Sequence, residues 1–314
     1  MSNRLPILFL PGDTYANRMP DPVLQQVEHF SNPGMTANDS FKPVTKYFDR
    51  ITRPEQILQS LPQAIQTMLD PAECGPACLS LCQDVQGETF DYPEEFFKER
   101  IHNIRRPRPD DFQIKQAVEK IKNSKKPIII SGGGVFYSDA MDELGNFAVK
   151  HNIPVTQTVM GYSTMKKDHS HFVGPIGGLG GKAANNLAKE TDLAICIGTK
   201  LADFTTGSWA NFENPEFKLV SINITRHDAN KHLGEAVIGD AKVTLTELSN
   251  AIGDWKSSDN WHKKSQDELK SWNEYVDKES GPTLQELPSY ARAVGAIYRQ
   301  SDPTDIAVIA AGGL

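Results

Sequence analysis

The sequence predicts an α/β fold whose central part is a complete, doubly wound parallel sheet. From about residue 110 onward, short apolar runs rich in β-branched residues alternate with stretches of helical periodicity. This alternation favours parallel strands joined by right-handed helical crossovers. One apolar run, residues 127–131, opens directly into Gly132-Gly133-Gly134. A strand that leads through glycines into a helix is how such a sheet forms a crevice at its carboxyl edge.

The part of the chain before residue 110 also alternates strand and helix patterns. Strands are predicted over residues 5–10, 44–51 and 77–81, and helices over residues 21–30 and 52–69. The second helix has one apolar stripe, formed by Ile57, Leu58, Leu61, Ile65, Met68 and Leu69. Residues 92–109 are irregular, rich in proline and charged, which is typical of an interdomain linker.

After this linker the elements follow in regular order. Asp110 or Asp111 is expected to cap a helix that places Ile114, Ala117 and Ile121 on one face. Beyond the strand at 127–131, helices are predicted over residues 139–151, 182–189, 243–252 and 288–300. Strands are predicted over residues 153–158, 192–198, 218–224 and 236–240. Residues 159–181 are interpreted as one long loop, residues 254–281 as a polar helical connection and residues 305–314 as a buried strand.

Composition excludes several classes of function. The formal net charge is −7, from 33 basic and 40 acidic residues, which disfavours nucleic-acid binding and attraction to anionic membranes. No apolar run is long enough to cross a bilayer. The four cysteines are too few for a disulfide framework, and Cys74, Cys78 and Cys82 are expected to be buried free thiols in a reducing cytoplasm.

Two glycine-rich segments are candidates for binding a phosphate group. Gly132, Gly133 and Gly134 follow the strand at 127–131, but their spacing is not that of a dinucleotide-binding fingerprint, so tight turning and close packing are the alternative role. The second candidate is a run that contains Gly177 and Gly178 and ends before Lys182, which is available as a counter-charge. The alternative there is a mobile loop.

No other cluster of residues predicts a catalytic or metal site. His169 and His171 are two residues apart and could share a metal ion, but no third or fourth ligand is evident, and a solvated loop is the alternative. No Ser-His-Asp or Cys-His pattern has supporting local sequence, so nucleophilic catalysis by this chain is not expected.

Taken together, these segments resemble the thiamine-diphosphate enzymes of the acetolactate synthase type. Within that superfamily the match is to the branch that opens a cyclic 1,2-diketone in myo-inositol catabolism. The segments specific to this branch are Asn3-Arg4-Leu5-Pro6-Ile7-Leu8-Phe9-Leu10-Pro11-Gly12-Asp13-Thr14, Asp21-Pro22-Val23-Leu24-Gln25-Gln26-Val27-Glu28-His29-Phe30 and Asp49-Arg50-Ile51-Thr52-Arg53-Pro54-Glu55-Gln56. Those generic to the superfamily are Gly132-Gly133-Gly134-Val135 and the stretch from Pro154 to Gly161.

The resemblance implies a domain plan. Residues 1–91 would be the C-terminal part of a pyrimidine-binding domain, and residues 92–109 a linker. Residues 110–253 would be the complete, Rossmann-like central domain. Residues 254–304 would be a connection and helix, and residues 305–314 the first strand of a truncated diphosphate-binding domain.

The resemblance also implies a cofactor and a substrate. The parent enzyme would be a hydrolase that uses thiamine diphosphate and Mg²⁺ to open trihydroxycyclohexane-1,2-dione to a 5-deoxy-glucuronic acid. Gln25 takes the place of an active-site glutamine of the family, and no residue matches the cofactor-activating glutamate or the metal-binding segment. A cytoplasmic homo-oligomer is expected for the full-length form, and no activity for this chain alone. The alternatives are a non-catalytic module that binds FAD or NAD, and an acetolactate synthase-like carboligase.

Overall fold

The computed structural model describes residues 3–17, 19–20, 22–24, 27, 29–284, 287–302 and 304–308. The chain divides into two compact units, Met1–Arg106 and Pro107–Leu314. The division falls inside the stretch predicted as a linker. Within that stretch Glu94–Phe97 forms a 3₁₀ turn, and the carbonyl of Pro107 accepts a hydrogen bond from the amide of Asp240 at 2.9 Å in the second unit. The domain bounds given above stay predictions.

The first unit contains a parallel sheet of four short strands. They are β1 (Leu8–Phe9), β2 (Gly12–Asp13), β3 (Tyr47–Ile51) and β4 (Ala77–Cys82). β4 is central, with β1 and β2 along one side and β3 along the other. Helix α1 (Ile57–Leu69) follows a 3₁₀ turn at Pro54–Gln56 and buries Ala64 in a small core with Ala77 and Leu79. The predicted strands at 44–51 and 77–81 and the helix at 52–69 are confirmed.

Two predictions in this unit are wrong. The strand expected over residues 5–10 is reduced to the two residues of β1. The helix expected over residues 21–30 is absent from the described residues of that stretch, 22–24, 27 and 29–30, which form bends and turns. Leu24 and Phe30 there are 95% and 98% exposed. An amphipathic helix owes most of its stability to a buried apolar face, and none of the apolar residues described in this stretch is buried.

The second unit is a doubly wound α/β domain, as predicted. Its parallel sheet has the strand order β10-β9-β8-β5-β6-β7 among the described residues. The strands are β5 (Pro127–Ser131), β6 (Val155–Gln157), β7 (Phe172–Pro175), β8 (Leu193–Ile197), β9 (Lys218–Asn223) and β10 (Glu235–Ile238). The chain runs outward from β5 through β6 to β7 and then returns to the other side of β5 as β8. The topological switch point is therefore between β5 and β8.

Helices cover both faces of this sheet. They are α2 (Asp111–Lys122), α3 (Gly133–Tyr137), α4 (Met141–His151), α5 (Lys182–Glu190), α6 (Asp203–Thr206), α7 (Arg226–Asn230), α8 (Ala241–Ile252), α9 (Asp259–Ser280) and α10 (Tyr290–Gln300). Neighbouring residues of β5 point to opposite faces. Ile129 packs in a core with residues of α2, α4 and α8, whereas Ile128 and Ile130 pack with α5 and with Trp261 of α9. The predicted cap of α2 is confirmed, because the Asp110 side chain accepts a hydrogen bond from the amide of Phe112 at 2.9 Å.

The prediction of one loop over residues 159–181 is wrong, because β7 lies within it. Gly174, with φ of +103°, and Pro175 are residue types that usually end a strand, so the residues of β7 do not form a continuous strand pattern in the sequence. β7 is an edge strand, where proline is tolerated because only one side pairs. The predicted strand at 305–314 is also not observed. Its described residues, 305–308, are irregular and exposed, and residues 309–314 lie outside the described chain. None of the helices in the described ranges is long and apolar enough to cross a bilayer.

Candidate functional site

The carboxyl ends of β5 and β8 meet at the switch point, where the first glycine segment lies. The amide of Gly132 donates to the carbonyl of Ile197 at 2.8 Å, and the amide of Gly134 donates to the carbonyl of Gly198 at 2.9 Å. A Cβ atom on Gly134 would lie 2.6 Å from the Cα of Gly198, closer than such atoms approach. Gly198 itself has φ of +61°. The two loops therefore pack backbone against backbone, and glycine is required on both sides.

This packing bears on the predicted phosphate contact at Gly132, Gly133 and Gly134. A phosphate cradle needs backbone amides that are free to donate to the ligand. The amides of Gly132 and Gly134 already donate within the protein, and a Cβ on Gly133 would lie 2.9 Å from the carbonyl oxygen of Met160. The helix that follows, α3, has only five residues. The geometry favours the close-packing alternative for this segment.

The second glycine segment is held in place by a side-chain clamp. The amide of Gly177 donates to Oδ1 of Asn185 at 2.9 Å, and Nδ2 of Asn185 donates back to the Gly177 carbonyl at 3.0 Å. The amide of Gly178 donates to the carbonyl of Phe204 at 2.7 Å. The Nζ atom of Lys182 lies 5.1 Å from the centre of the Tyr275 ring, in a cation–π contact. The expected counter-charge is thus already engaged, and the segment is an anchored turn.

Large apolar side chains stand exposed around the glycine segments. They directly follow the strand ends of this sheet edge or lie on the short elements after them, and they are Phe136, Tyr137, Val159, Met160, Tyr162, Leu179 and Phe204. This rim was not predicted from the sequence. Its signal was available, because aromatic residues that immediately follow buried strands lie at the sheet edge. Exposed apolar clusters of this kind mark surfaces that contact a ligand or another protein surface.

The first unit has a buried ion pair at the carboxyl ends of β2 and β3. The carboxylate of Asp13 is fully buried, accepts a hydrogen bond from the hydroxyl of Ser80, and lies 2.7 Å from Nε of Arg50. Nη2 of Arg50 lies 3.0 Å from Asp39 and donates to the hydroxyl of Thr36 at 3.0 Å. Burial opposes ionisation of Asp13, but the hydrogen bonds from Ser80, Arg50 and their neighbours outweigh it and lower its pKa.

This network, too, was not found from the sequence. Asp13 and Arg50 are 37 residues apart, and only the sheet brings them together. The network joins β2 and β3 to Thr36 and Asp39 at the start of the 3₁₀ helix Ala37–Val44. Burial also opposes ionisation of Asp39, yet hydrogen bonds from Lys42, the Thr36 amide and Arg50 lower its pKa to about 2. Both carboxylates therefore stay charged across the physiological range.

The thiols and histidines show no catalytic arrangement. All four cysteines are free. Cys78 and Cys82 are buried as predicted, and Cys196 is buried too, whereas the prediction for Cys74 is wrong, since it is partly exposed. Burial and the nearby carboxylates of Asp13 and Asp84 raise the pKa of Cys82 to about 11, so it is not a thiolate nucleophile. Among the described residues no group of three or more His, Cys, Asp or Glu side chains could hold a metal ion. Gln25, the predicted active-site neighbour, lies outside the described residues.

Comparison with known proteins identifies the relationship of this chain. Residues 114–248 match a family model described as the central domain of thiamine pyrophosphate enzymes. The relatives include proteins named 3D-(3,5/4)-trihydroxycyclohexane-1,2-dione hydrolase. The one from Clostridium perfringens strain 13 is 46% identical over 276 residues, which is 87% of this chain and 43% of that protein. The one from Bacillus subtilis strain 168 is 44% identical over 257 residues, 82% of this chain and 40% of that protein.

A third relative of the same name, from Clostridium tetani, is 43% identical over 292 residues, 90% of this chain and 45% of that protein. The chain thus spans less than half the length of the curated relatives it matches. The resemblance to thiamine-diphosphate enzymes, and to this hydrolase branch, is confirmed.

Proposed function

We propose that this chain is part of a thiamine-diphosphate-dependent hydrolase that opens the ring of trihydroxycyclohexane-1,2-dione. The observation that supports this is the identity of 46% over 276 residues to a protein of that name. The matched length exceeds the size of either compact unit, since the second holds residues 107–314, so the similarity extends over both units.

The proposed reaction is hydrolysis of a carbon–carbon bond. In a cyclic 1,2-dione the bond between the two carbonyl carbons is weakened, because each carbon is bonded to another electron-poor carbon. Water supplies a hydroxyl group to one carbonyl carbon, which becomes a carboxylic acid, and a hydrogen to the other, which becomes an aldehyde. The six-carbon ring therefore opens to a linear deoxy-hexuronic acid, with no oxidant or reductant consumed.

The described residues do not fit thiamine diphosphate or Mg²⁺. A magnesium–diphosphate group needs oxygen ligands grouped around the metal ion and amides or cations that face the phosphates. Neither the described acidic residues nor the amides of Gly132, Gly134, Gly177 and Gly178 are arranged for this. We therefore assign no catalytic step to these residues, and we expect the chain alone to show no turnover.

The remaining parts of the proposal concern residues and assembly. A cofactor-binding role for Gln25 rests on the family resemblance. Gly178 has the most open surroundings of the predicted binding glycines, since the nearest atom to a Cβ there would be 3.8 Å away. The resemblance also supports a homo-oligomer for the full-length protein, with its site between domains of different subunits.

The two alternative functions have less support. A module that binds FAD or NAD would need free amides at the switch point, where the amides of Gly132 and Gly134 are already paired. A carboligase of the acetolactate synthase type would share the central domain, but the relatives over both units are named as dione hydrolases.

The proposal is tested by transplanting the chain. The matched segment of the Bacillus subtilis relative is replaced by the corresponding residues of this chain, and ring opening of the dione is measured with thiamine diphosphate and Mg²⁺. We expect the chimera to hydrolyse the dione and to form no acetolactate from pyruvate. A chimera that also carries Gly134→Val is the inactive control, because the larger side chain would collide with Gly198. A folded chimera of native oligomeric state that fails to hydrolyse the dione would contradict the proposal.

A further inference from the structure

Two histidine rings stack at the junction between β7 and α9. His171 immediately precedes β7, and His262 lies in the first turn of α9, 91 residues later. Their ring centres are 4.2 Å apart, with an angle of 23° between the ring planes. His171 is only 6% exposed. The pair therefore forms part of the contact by which α9 is held on the edge strand of the sheet.

A neutral ring satisfies all the hydrogen bonds around His171. Nδ2 of Asn152 donates to the Ser257 carbonyl at 3.2 Å and to Asp259 at 3.0 Å, so its Oδ1 atom faces Nε2 of His171 at 3.2 Å. Nε2 must then carry the hydrogen. Nδ1 lies 3.0 Å from the hydroxyl of Ser170, which can donate to it when the ring is neutral. A second proton, on Nδ1, would place a charge on a ring that is only 6% exposed, and burial makes that charge costly.

Protonation of His262 is unfavourable as well. Its Nδ1 atom is buried, and no hydrogen-bond partner for it exists among the residues that the structure describes. A proton on this nitrogen would be a buried donor without an acceptor, which is unfavourable.

The charged and titratable groups around the stack come from three elements. From the segment before β7, the His169 ring lies 5.9 Å from the His171 ring. From α9, Asp259 is the one anion that favours a protonated His262. At the end of α4, His151 precedes Asn152, which contacts His171, and the His151 ring nitrogens lie 2.9 Å from the Trp255 carbonyl and 3.2 Å from the Ser249 hydroxyl. Most of these neighbours are cationic or become so in acid.

We propose that the His171–His262 stack is a proton-sensitive latch, which holds α9 on β7 while both rings are neutral and releases it when acid protonates either ring. Burial, followed by the neighbouring His262 and His169 rings, lowers the pKa of His171 to about 4 from the usual 6.5. Burial also lowers the pKa of His262, against the opposing effect of Asp259. The released state then binds more protons than the latched state, so the latch is fully stable above pH 6.5 and weakens as the pH falls towards 4.

The lowered pKa of His171 sets the size of its own contribution to the effect. If release exposes His171 to water, its pKa returns from about 4 to about 6.5. The equilibrium between latched and released states then shifts towards release by up to about 30-fold between pH 7.5 and pH 5.0. Helix α2 is in the same unit but packs on the other face of the sheet, and it makes no part of the stack. It therefore serves as an internal reference.

The test is hydrogen–deuterium exchange of the full chain at pH 7.5 and pH 5.0, with protection expressed relative to the unfolded chain at each pH. We expect protection of the first half of α9 to fall by about tenfold or more at pH 5.0, while protection of α2 changes by less than threefold. Equal protection of α9 at both pH values would overturn the proposal, and so would a parallel loss in α9 and α2, because that result would indicate global unfolding.

Two variants and a matched control complete the test. His171→Gln keeps a side-chain donor for Asn152 but cannot become charged, and His262→Phe keeps a stacked ring without a titratable nitrogen. The double variant is expected to hold α9 equally well at both pH values. His169→Gln removes a neighbouring histidine that is not part of the stack, and it should keep most of the acid response, since His169 is the smallest of the three causes that lower the pKa of His171. If the double variant does not fold, His171→Gln alone should abolish most of the acid response. A full acid response in either folded variant would refute the latch.

Discussion

Gly134→Ala probes the contact between the loops that follow β5 and β8. The added Cβ would lie 2.6 Å from the Cα of Gly198 and 3.1 Å from its carbonyl oxygen. Ordinary contacts of this kind begin at 3.4 Å, so the two backbones must separate by at least 3.4 − 2.6 = 0.8 Å. If the hydrogen bond from the Gly134 amide to the Gly198 carbonyl lengthens by the same amount, it changes from 2.9 Å to about 3.7 Å, which is no longer a hydrogen bond.

The expected loss of stability follows from these two effects. Overpacking of a tight contact costs about 1–3 kcal/mol, and a lost hydrogen bond about 1 kcal/mol. Replacing glycine by alanine restores roughly 0.4–1 kcal/mol, because it restricts the unfolded chain. We therefore expect Gly134→Ala to lower the free energy of unfolding by about 1–3 kcal/mol. Gly198→Ala should lose about 1 kcal/mol more, because that residue also has φ of +61°.

Urea unfolding followed by tryptophan fluorescence measures the free energy of unfolding of each variant directly. All four tryptophans of the chain lie beyond residue 107, so the signal reports on the second unit alone. Gly178→Ala is the matched control, because the nearest atom to its Cβ would be 3.8 Å away, an ordinary contact. It should change the free energy of unfolding by less than about 0.5 kcal/mol. Equal stabilities for Gly134→Ala and Gly178→Ala would refute the argument that the two loops are closed by backbone packing.

Two further predictions concern the first unit. Asp13→Ala should destabilise it by about 3 kcal/mol, because Arg50 and Ser80 lose a buried carboxylate, whereas Lys98→Ala, at an exposed ion pair, should cost less than about 1 kcal/mol. Hydrogen exchange of peptides from β4 measures the destabilisation caused by each variant. Similar losses of protection in the two variants would count against a stabilising role for the buried network. The lowered pKa of Asp39, about 2 against 3.8, predicts that its contribution is constant above about pH 4 and lost as the pH falls towards 2. An acid titration of β4 protection with its midpoint above pH 5 would contradict this.

The elements that the sequence predicted correctly are those with a strong local pattern. β5 is a run of branched apolar residues, and α2 has a capping aspartate before a regular apolar stripe. Both elements are observed where they were predicted. β7 was missed because Gly174 and Pro175 interrupt its pattern, although an edge strand tolerates both. The helix expected over residues 21–30 was wrong for the opposite reason. Its local signals were favourable, but the apolar side chains of Leu24 and Phe30, among the described residues there, stay exposed.

Contacts between distant residues could not be predicted from local patterns. Asn185 clamps Gly177 from a helix, and His262 reaches His171 across 91 residues, and neither pairing has a signal at either position. The glycine segments illustrate the limit well. Their sequence was compatible with both phosphate contact and close packing, and it is contacts with distant residues, such as Gly198 opposite Gly134, that favour packing. The partners of a loop depend on strand order, which local sequence does not specify.

Thermal unfolding of the purified chain with saturating thiamine diphosphate and Mg²⁺, and with FAD and NAD in parallel, tests most directly whether these residues hold a cofactor. A ligand that binds only the folded state stabilises it by about 2.7 kcal/mol at a hundredfold excess over its Kd. Because the amides of Gly132, Gly134, Gly177 and Gly178 are already paired and no metal-binding cluster is found in the described chain, we predict no shift with any of the three. A saturable rise in unfolding temperature with thiamine diphosphate and Mg²⁺ would contradict the account.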